Sequence, residues 1–216
     1  MEWATSGYAW TYAGGFLAYT LLNLFGFAWA KYVWDFQKTG DFSFSAFKKN
    51  FSFKTLRGAL WYVLWSYVWL LPYLVMLFFG TKLSLEANAN PNSPNLQSQA
   101  IVSIILIYAG LFYMIFAYVK IIGYTMMPYV LAENPEISVT KAMNLSKKMC
   151  KGCRENILVM YGSFSLWYLF VLVTLGFGRI LYQPYIENSF INMYKAVKKN
   201  ALEAKTVSEE DFYVLQ

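Results

Sequence analysis

At 216 residues the chain is 58% hydrophobic and 20% aromatic. Only 14% is charged, which excludes an ordinary soluble domain, where about a quarter of residues carry charge. The net charge is +6 and there is no histidine, so the commonest general base, proton shuttle and zinc ligand are all missing, which speaks against most hydrolytic mechanisms.

Tyr8 to Ala30 contains no charged side chain, and neither does Gly58 to Gly80 or Asn156 to Gly178. About 20 helical residues cross a hydrocarbon core of roughly 30 Å, so each run predicts a span, and Ala100 to Val119 predicts another. Continuous apolar runs such as IVSIILIYAGLFYMIFAYV do not alternate as barrel strands do, so the fold class is an all-α membrane protein, a helical bundle.

Between the first two spans, GDFSFSAFKKNFSFKT sets Phe42, Phe44, Phe47, Phe51 and Phe53 among lysines, which predicts a short helix at headgroup level. On the second span Trp61, Trp65 and Trp69 recur every four residues and mark one helical face, either an interface anchor or a packing stripe. Pro72 and Pro128 predict bends or helix ends. Thr81 to Gln99 reads as a polar loop with one Lys and one Glu.

The basic residues fix an orientation. Lys31, Lys38, Lys48, Lys49, Lys54 and Arg57 precede the second span, and Lys141, Lys147, Lys148, Lys151 and Arg154 lie between the third and fourth. Lys195, Lys198, Lys199 and Lys205 follow the last apolar stretch, leaving only Lys82, Lys120 and Arg179 elsewhere. These basic segments and the C-terminus are therefore expected in the cytoplasm, with Thr81 to Gln99 outside the cell membrane. That arrangement requires a further crossing through RILYQPYIENSFINMYKAV, about five spans in all, with the N-terminus outside. Met1 to Gly7 has no basic region of the signal-peptide kind, and a missing upstream helix would explain the outside start. Residues 1–205 read as one multipass membrane domain and 206–216 as a short cytoplasmic tail.

SVTKAMNLSKKMCKGC, residues 138–153, has helical periodicity. Val139, Ala142, Met143, Ser146, Met149, Cys150 and Cys153 share one face, with Lys141, Asn144, Lys148 and Lys151 opposite. Ser138 is the expected N-cap and Gly152 the expected stop. Lys141, Lys147, Lys148, Lys151 and Arg154 form the candidate face for anionic lipid or a protein partner.

Further motifs place the chain beside a known family. PYVLAENPEISVTKAMNLSKKMCKG, then LVTLGFG and QPYIENSFINMY, resemble domain-of-unknown-function family nine-seven-five, integral membrane proteins found mostly in Gram-positive bacteria. Pro128, Tyr129, Glu133, Asn134, Pro135, Ser146, Lys147, Gly152, Thr174, Gly176, Gly178, Pro184 and Tyr185 take positions of the family pattern. The resemblance covers roughly residues 25 to 200. It implies a fold and a compartment and brings no activity or substrate. Members usually begin with a basic helix and another span, which this chain lacks, and Thr81 to Val119 looks like an insertion.

Charged groups within spans are the remaining candidate binding residues, because such groups are costly in lipid and have partners there. Lys120, Arg179 and Glu187 qualify, as a Lys120–Glu187 or Arg179–Glu187 pair lining a polar cavity. The alternative has Lys120 snorkelling to the interface and Arg179 at the outer headgroups. Glu133, in the turn Glu133-Asn134-Pro135-Glu136, accepts a cation or partner, or simply helps to cap the next helix. Cys150 and Cys153 form a CxxC beside cations that favour thiolate, but two sulfurs on an apolar face do not complete a zinc site.

No nucleophile motif, phosphate-binding loop or paired carboxylate is present, so no catalytic residue, metal or cofactor is assigned and the chain reads as no enzyme. The leading function is an accessory or scaffold protein whose basic helices hold lipid headgroups or a partner protein, with no nucleic-acid role. A transporter or channel for a lipid or small amphiphile is the alternative, and protection against pore-forming peptides or envelope stress a third. Gly14, Gly15, Gly26 and Ala30 offer a small-residue face for homo-oligomer or intrachain contact.

Overall fold

A computed structural model describes residues 2–41, 43–174 and 178–212, and among them every regular element is helical. In chain order these are α1 (Glu2–Thr39), α2 (Phe44–Lys49), α3 (Phe53–Ala89), α4 (Leu96–Ile122), α5 (Met127–Glu133), α6 (Val139–Met149), α7 (Arg154–Ser163), α8 (Ser165–Val173) and α9 (Gly178–Glu203). A short 3-10 turn, Glu209–Phe212, follows.

Three helical stretches among the described residues are long and apolar enough to cross a membrane: Ala13–Thr39, Phe53–Ala89 and Leu96–Glu133. They contain two of the expected spans and overlap the first, Tyr8 to Ala30, from Ala13 onward. Their outward surfaces are greasy: Leu17, Leu21 and Leu22 on α1, Val68, Leu71 and Val75 on α3, and Ile104, Ile105 and Ile115 on α4 are all exposed. Water would penalise such surfaces, and a bilayer does not.

The expected Thr81 to Gln99 loop is shorter than its composition suggests. Helix α3 continues through Thr81 to Ala89, and α4 begins at Leu96. LSLEANA contains good helix formers and no breaker before Pro91, so the helix runs on. Over 37 residues it reaches about 55 Å at 1.5 Å per residue, well beyond a hydrocarbon core.

Asn156 to Gly178 is not one continuous helix. It divides at Phe164 into α7 and α8, and positions 175–177 lie outside the described residues. The sequence signal is Gly162-Ser163-Phe164-Ser165, in which the Ser163 hydroxyl donates back to the Met160 carbonyl at 2.7 Å. Such local bonds compete with the helical ladder. The last expected crossing falls on α9, 26 residues long with Pro184 inside it.

The chain forms two compact units, Leu64–Ile121 and the remainder. The first is a hairpin of α3 and α4. A Cβ added at Gly80 would lie 2.8 Å from Ile107 Cγ1 and 3.2 Å from the Ser103 carbonyl oxygen, so glycine allows this close approach. Trp69 stacks edge-on with Phe116, which agrees with the packing role for that part of the tryptophan stripe.

The other unit is built around α5, which touches α1 and α6, while α9 touches α1, α6 and α8. Met127, Tyr129, Val130, Leu131 and Ala132 of α5 are buried. Pro128 sits in its first turn, where a missing N–H is harmless. Helix α2 docks on α1 through Phe47, whose ring meets Phe25, Trp29 and Tyr32 within 5.7 Å. Phe42 and the Phe44 side chain lie outside the described residues. The Ser138 hydroxyl caps α6 by accepting from the Lys141 amide, and Gly152 takes a left-handed φ of 95° where that helix ends.

Candidate functional site

Helices α1, α5, α7 and α9 surround a cavity of about 220 Å³ within the larger unit. Asn23 and Gly26 of α1, Tyr129 of α5, Tyr161 of α7, and Gln183 and Glu187 of α9 are among its walls. Glu187 is 8% exposed. Tyr129 donates to its Oε2 at 2.9 Å and Gln183 donates to its Oε1 at 2.9 Å. A buried carboxylate is tolerable when donors of this kind replace its water.

A second carboxylate mirrors the first. Tyr194 of α9 donates to Glu133 of α5, so each of the two helices supplies one tyrosine and one glutamate to the other. The Lys198 ammonium group completes the Glu133 site at 3.0 Å. Tyr129 and Tyr194 lie ring to ring between the two carboxylates, with centroids 5.9 Å apart. On α6, the Ser146 hydroxyl donates to the Gly123 carbonyl at 2.8 Å and ties that helix to the turn before α5.

Two carboxylates sit in separate hydrogen-bonded settings, and among the described residues no group of three or more metal-ligating side chains comes together.

Residues 15–201 match the family described as "Protein of unknown function (DUF975)". The chain belongs to the DUF975 family. The match covers the spans, α5, α6 and most of α9, so the reciprocal tyrosine and glutamate bonds lie inside the family region. Neither the curated proteins nor the solved structures include a match to the chain.

The sequence candidates divide among different settings. Glu187 and Glu133 both lie in the larger unit, on the network just described. Lys120 belongs to the hairpin unit, where its ammonium group sits 5.5 Å from the Trp69 ring centroid and 5.0 Å from that of Phe116. The Arg179 side chain lies outside the described residues.

Of the basic candidates, Lys148 and Lys151 are exposed, while Lys141, Lys147 and Arg154 are partly covered. Lys147 lies over the Tyr124 ring at 5.2 Å. Val139, Ala142, Met143, Leu145, Ser146 and Met149 are buried on the other side of α6. An open hollow along the outer side includes Lys141, Asn144, Lys147, Lys148 and Asp211.

Cys150 and Cys153 are free thiols. The Cys153 thiol donates to the Met149 carbonyl at 3.4 Å; the neighbouring Cys150 thiol and Arg154 hold Cys153 down to about 7, while Cys153 and burial push Cys150 up.

Sequence reasoning found both glutamates but not what holds them. Tyr129, Gln183 and Tyr194 appear in the linear pattern only as members of motifs. The i, i+4 spacing of Tyr129 and Glu133 was the available signal, since it puts both on one helical face.

Proposed function

We propose that the chain is a non-catalytic multipass protein of the cell membrane that holds anionic lipid headgroups on the outer side of α6. In this reading α7 with α8 and α9 complete the crossings begun by α1, α3 and α4. The basic loops and C-terminus face the cytoplasm, where the anionic leaflet lies.

The supporting observation is the two-sidedness of α6. It is anchored from below by Met143, Met149 and the Ser146 bond to Gly123, while Lys148 and Asn144 point away and Lys151 follows exposed. A helix fixed from below with ammonium groups above can collect phosphate headgroups without moving. Each lysine near such a leaflet contributes about 1 kcal/mol, so four amount to roughly 4 kcal/mol before salt screening. The role that follows is that of an accessory or scaffold protein, recruiting lipid or a partner and transforming neither.

Native mass spectrometry of the purified chain tests this. Phosphatidylglycerol is expected to stay bound in preference to phosphatidylcholine. Combining Lys141→Gln, Lys147→Gln, Lys148→Gln and Lys151→Gln is expected to abolish the preference. Unchanged retention in that variant would refute the assignment.

A second reading, a carrier for a small amphiphile, draws on the cavity beside Glu187. Its prediction is that Lys120→Gln with Glu187→Gln stops flux of the carried solute, and unchanged flux would remove it.

A further inference from the structure

The joint between α6 and α7 carries both cysteines. Cys150 caps the end of α6 and Cys153 the start of α7, and the Cys153 amide donates to the Cys150 carbonyl at 3.3 Å, closing a four-residue turn. Gly152 stands third in that turn with a φ of 95°, a backbone conformation that suits glycine there. A turn of this kind brings its end Cα atoms within about 7 Å of each other, and disulfides join Cα atoms about 4.4–6.8 Å apart. The backbone therefore already has the spacing that an S–S bond needs.

The two thiols differ in what reaches them. Cys150 is 0% exposed, whereas Cys153 is half-buried and open to a small solute. The neighbouring Cys150 thiol and Arg154 favour thiolate at Cys153, and ionising it gives up only a weak S–H bond to the Met149 carbonyl. Arg154 Nε is buried and has no hydrogen-bond partner among the described residues, so the cation beside the sulfur is not spent on another group through that atom. An accessible thiolate next to a buried, protonated thiol is the arrangement of a reversible oxidation site, in which one sulfur attacks and the other resolves. The other common use of paired sulfurs is a metal, but among the described residues no third Cys, Asp or Glu joins them.

We propose that Cys150 and Cys153 form a reversible dithiol–disulfide site oxidised by a peroxide, with Cys153 attacking and Cys150 resolving. The Cys153 sulfur attacks one peroxide oxygen. The S–O bond forms, the O–O bond breaks, and the departing hydroxide takes a proton from solvent to become water. The sulfur is thereby oxidised by two electrons to a sulfenic acid and the peroxide is reduced. Cys150 then attacks that sulfur, the S–S bond replaces the S–O bond, and the Cys150 proton leaves with the displaced hydroxide as a second water. A dithiol reductant returns both thiols by exchange. The inference does not depend on headgroup binding at α6.

The test treats the full chain in phosphatidylglycerol nanodiscs with hydrogen peroxide and maps its peptides without reduction. Trypsin cuts after Lys148, Lys151 and Arg154, which separates the cysteines, so peptides 149–151 and 152–154 stay joined only where the disulfide has formed. The joined pair is expected to appear on oxidation and to disappear with dithiothreitol. Cys153→Ser is expected to slow oxidation of the remaining thiol at least about ten-fold, because Cys150 is buried. Cys150→Ser is expected to leave Cys153 as a sulfenic acid that dimedone traps. The joined pair in the unaltered chain decides the matter if either variant fails to fold. Cys153 passing to sulfinic acid while Cys150 stays free, a disulfide joining two chains, undiminished oxidation of Cys150 in Cys153→Ser, or no joined pair at all would each overturn the proposal.

Discussion

The Tyr129 hydroxyl on α5 donates to Glu187 on α9 at 2.9 Å, while Tyr194 on α9 donates back to Glu133 on α5. The pairs keep their order along both helices, so α5 and α9 run in the same sense where they meet. Removing either hydroxyl leaves a carboxylate, buried at Glu187 and half-buried at Glu133, short of a donor, which costs about 1–3 kcal/mol. Tyr129→Phe and Tyr194→Phe should each lower stability by that amount in a detergent unfolding titration. Because both bonds fix the same helices, the double variant should depart from additivity by at least about 0.5 kcal/mol. Strict additivity would show the two bonds to be independent.

Lys198 links the Glu133 site to the C-terminal turn. Its ammonium group is 3.0 Å from Glu133 and 4.2 Å from the Phe212 ring centroid, and Phe212 itself is 0% exposed. Within residues 206–212, Val207 and Phe212 are thus packed down. Phe212→Ala is expected to cost about 3–5 kcal/mol and to open the segment after Glu203 to trypsin. Equal protease resistance in the variant would argue that this packing is dispensable.

The contrast between what was readable and what was not is physical. Three helices long and apolar enough to cross a membrane were legible because apolar runs need no partner to be recognised, and α6 was legible because Ser138, Gly152 and its periodicity are local signals. The Tyr129–Glu187 and Tyr194–Glu133 bonds join residues 58 and 61 positions apart, and no local pattern encodes such a pairing. Nor did hydropathy reveal the break at Phe164, because Ser and Gly within a greasy segment lower its mean too little. The burial of Phe212 was hidden for the opposite reason, since it follows three acidic residues in a short tail.

The two thiols should separate by reactivity. The neighbouring Cys150 thiol and Arg154 keep Cys153 near 7, so its thiolate is present above that pH and lost below it, while buried Cys150 stays protonated. Iodoacetamide labelling followed by mass spectrometry should modify Cys153 first, with a rate that rises through about pH 7. Cys150→Ala removes that neighbouring thiol and should shift the rise toward the ordinary thiol value of about 8.5. Simultaneous labelling of both sulfurs would contradict the assigned geometry.

The hairpin unit depends on close approach at Gly80. Valine there would press on Ile107 and the Ser103 carbonyl, neither of which is the free end of a flexible chain, at an expected cost of about 1–3 kcal/mol. A Cβ at Gly14 would meet nothing within 4 Å, so Gly14→Val is the control and should change stability by no more than about 0.5 kcal/mol. Comparing the thermal unfolding of the two variants in detergent checks the claim. Equal effects would count against glycine-mediated packing of α3 on α4.

The central claim is the proposed orientation, with the outer side of α6 at the cytoplasmic leaflet and residues 90–95 outside the cell. In a background lacking Cys150 and Cys153, single cysteines at Asn92 and Lys148 can be probed in intact cells with a membrane-impermeant maleimide. The predicted result is immediate labelling at position 92, with labelling at position 148 only after the membrane is opened. Labelling of both positions in intact cells, or of position 148 alone, would contradict the proposed orientation and with it the headgroup-binding role of α6.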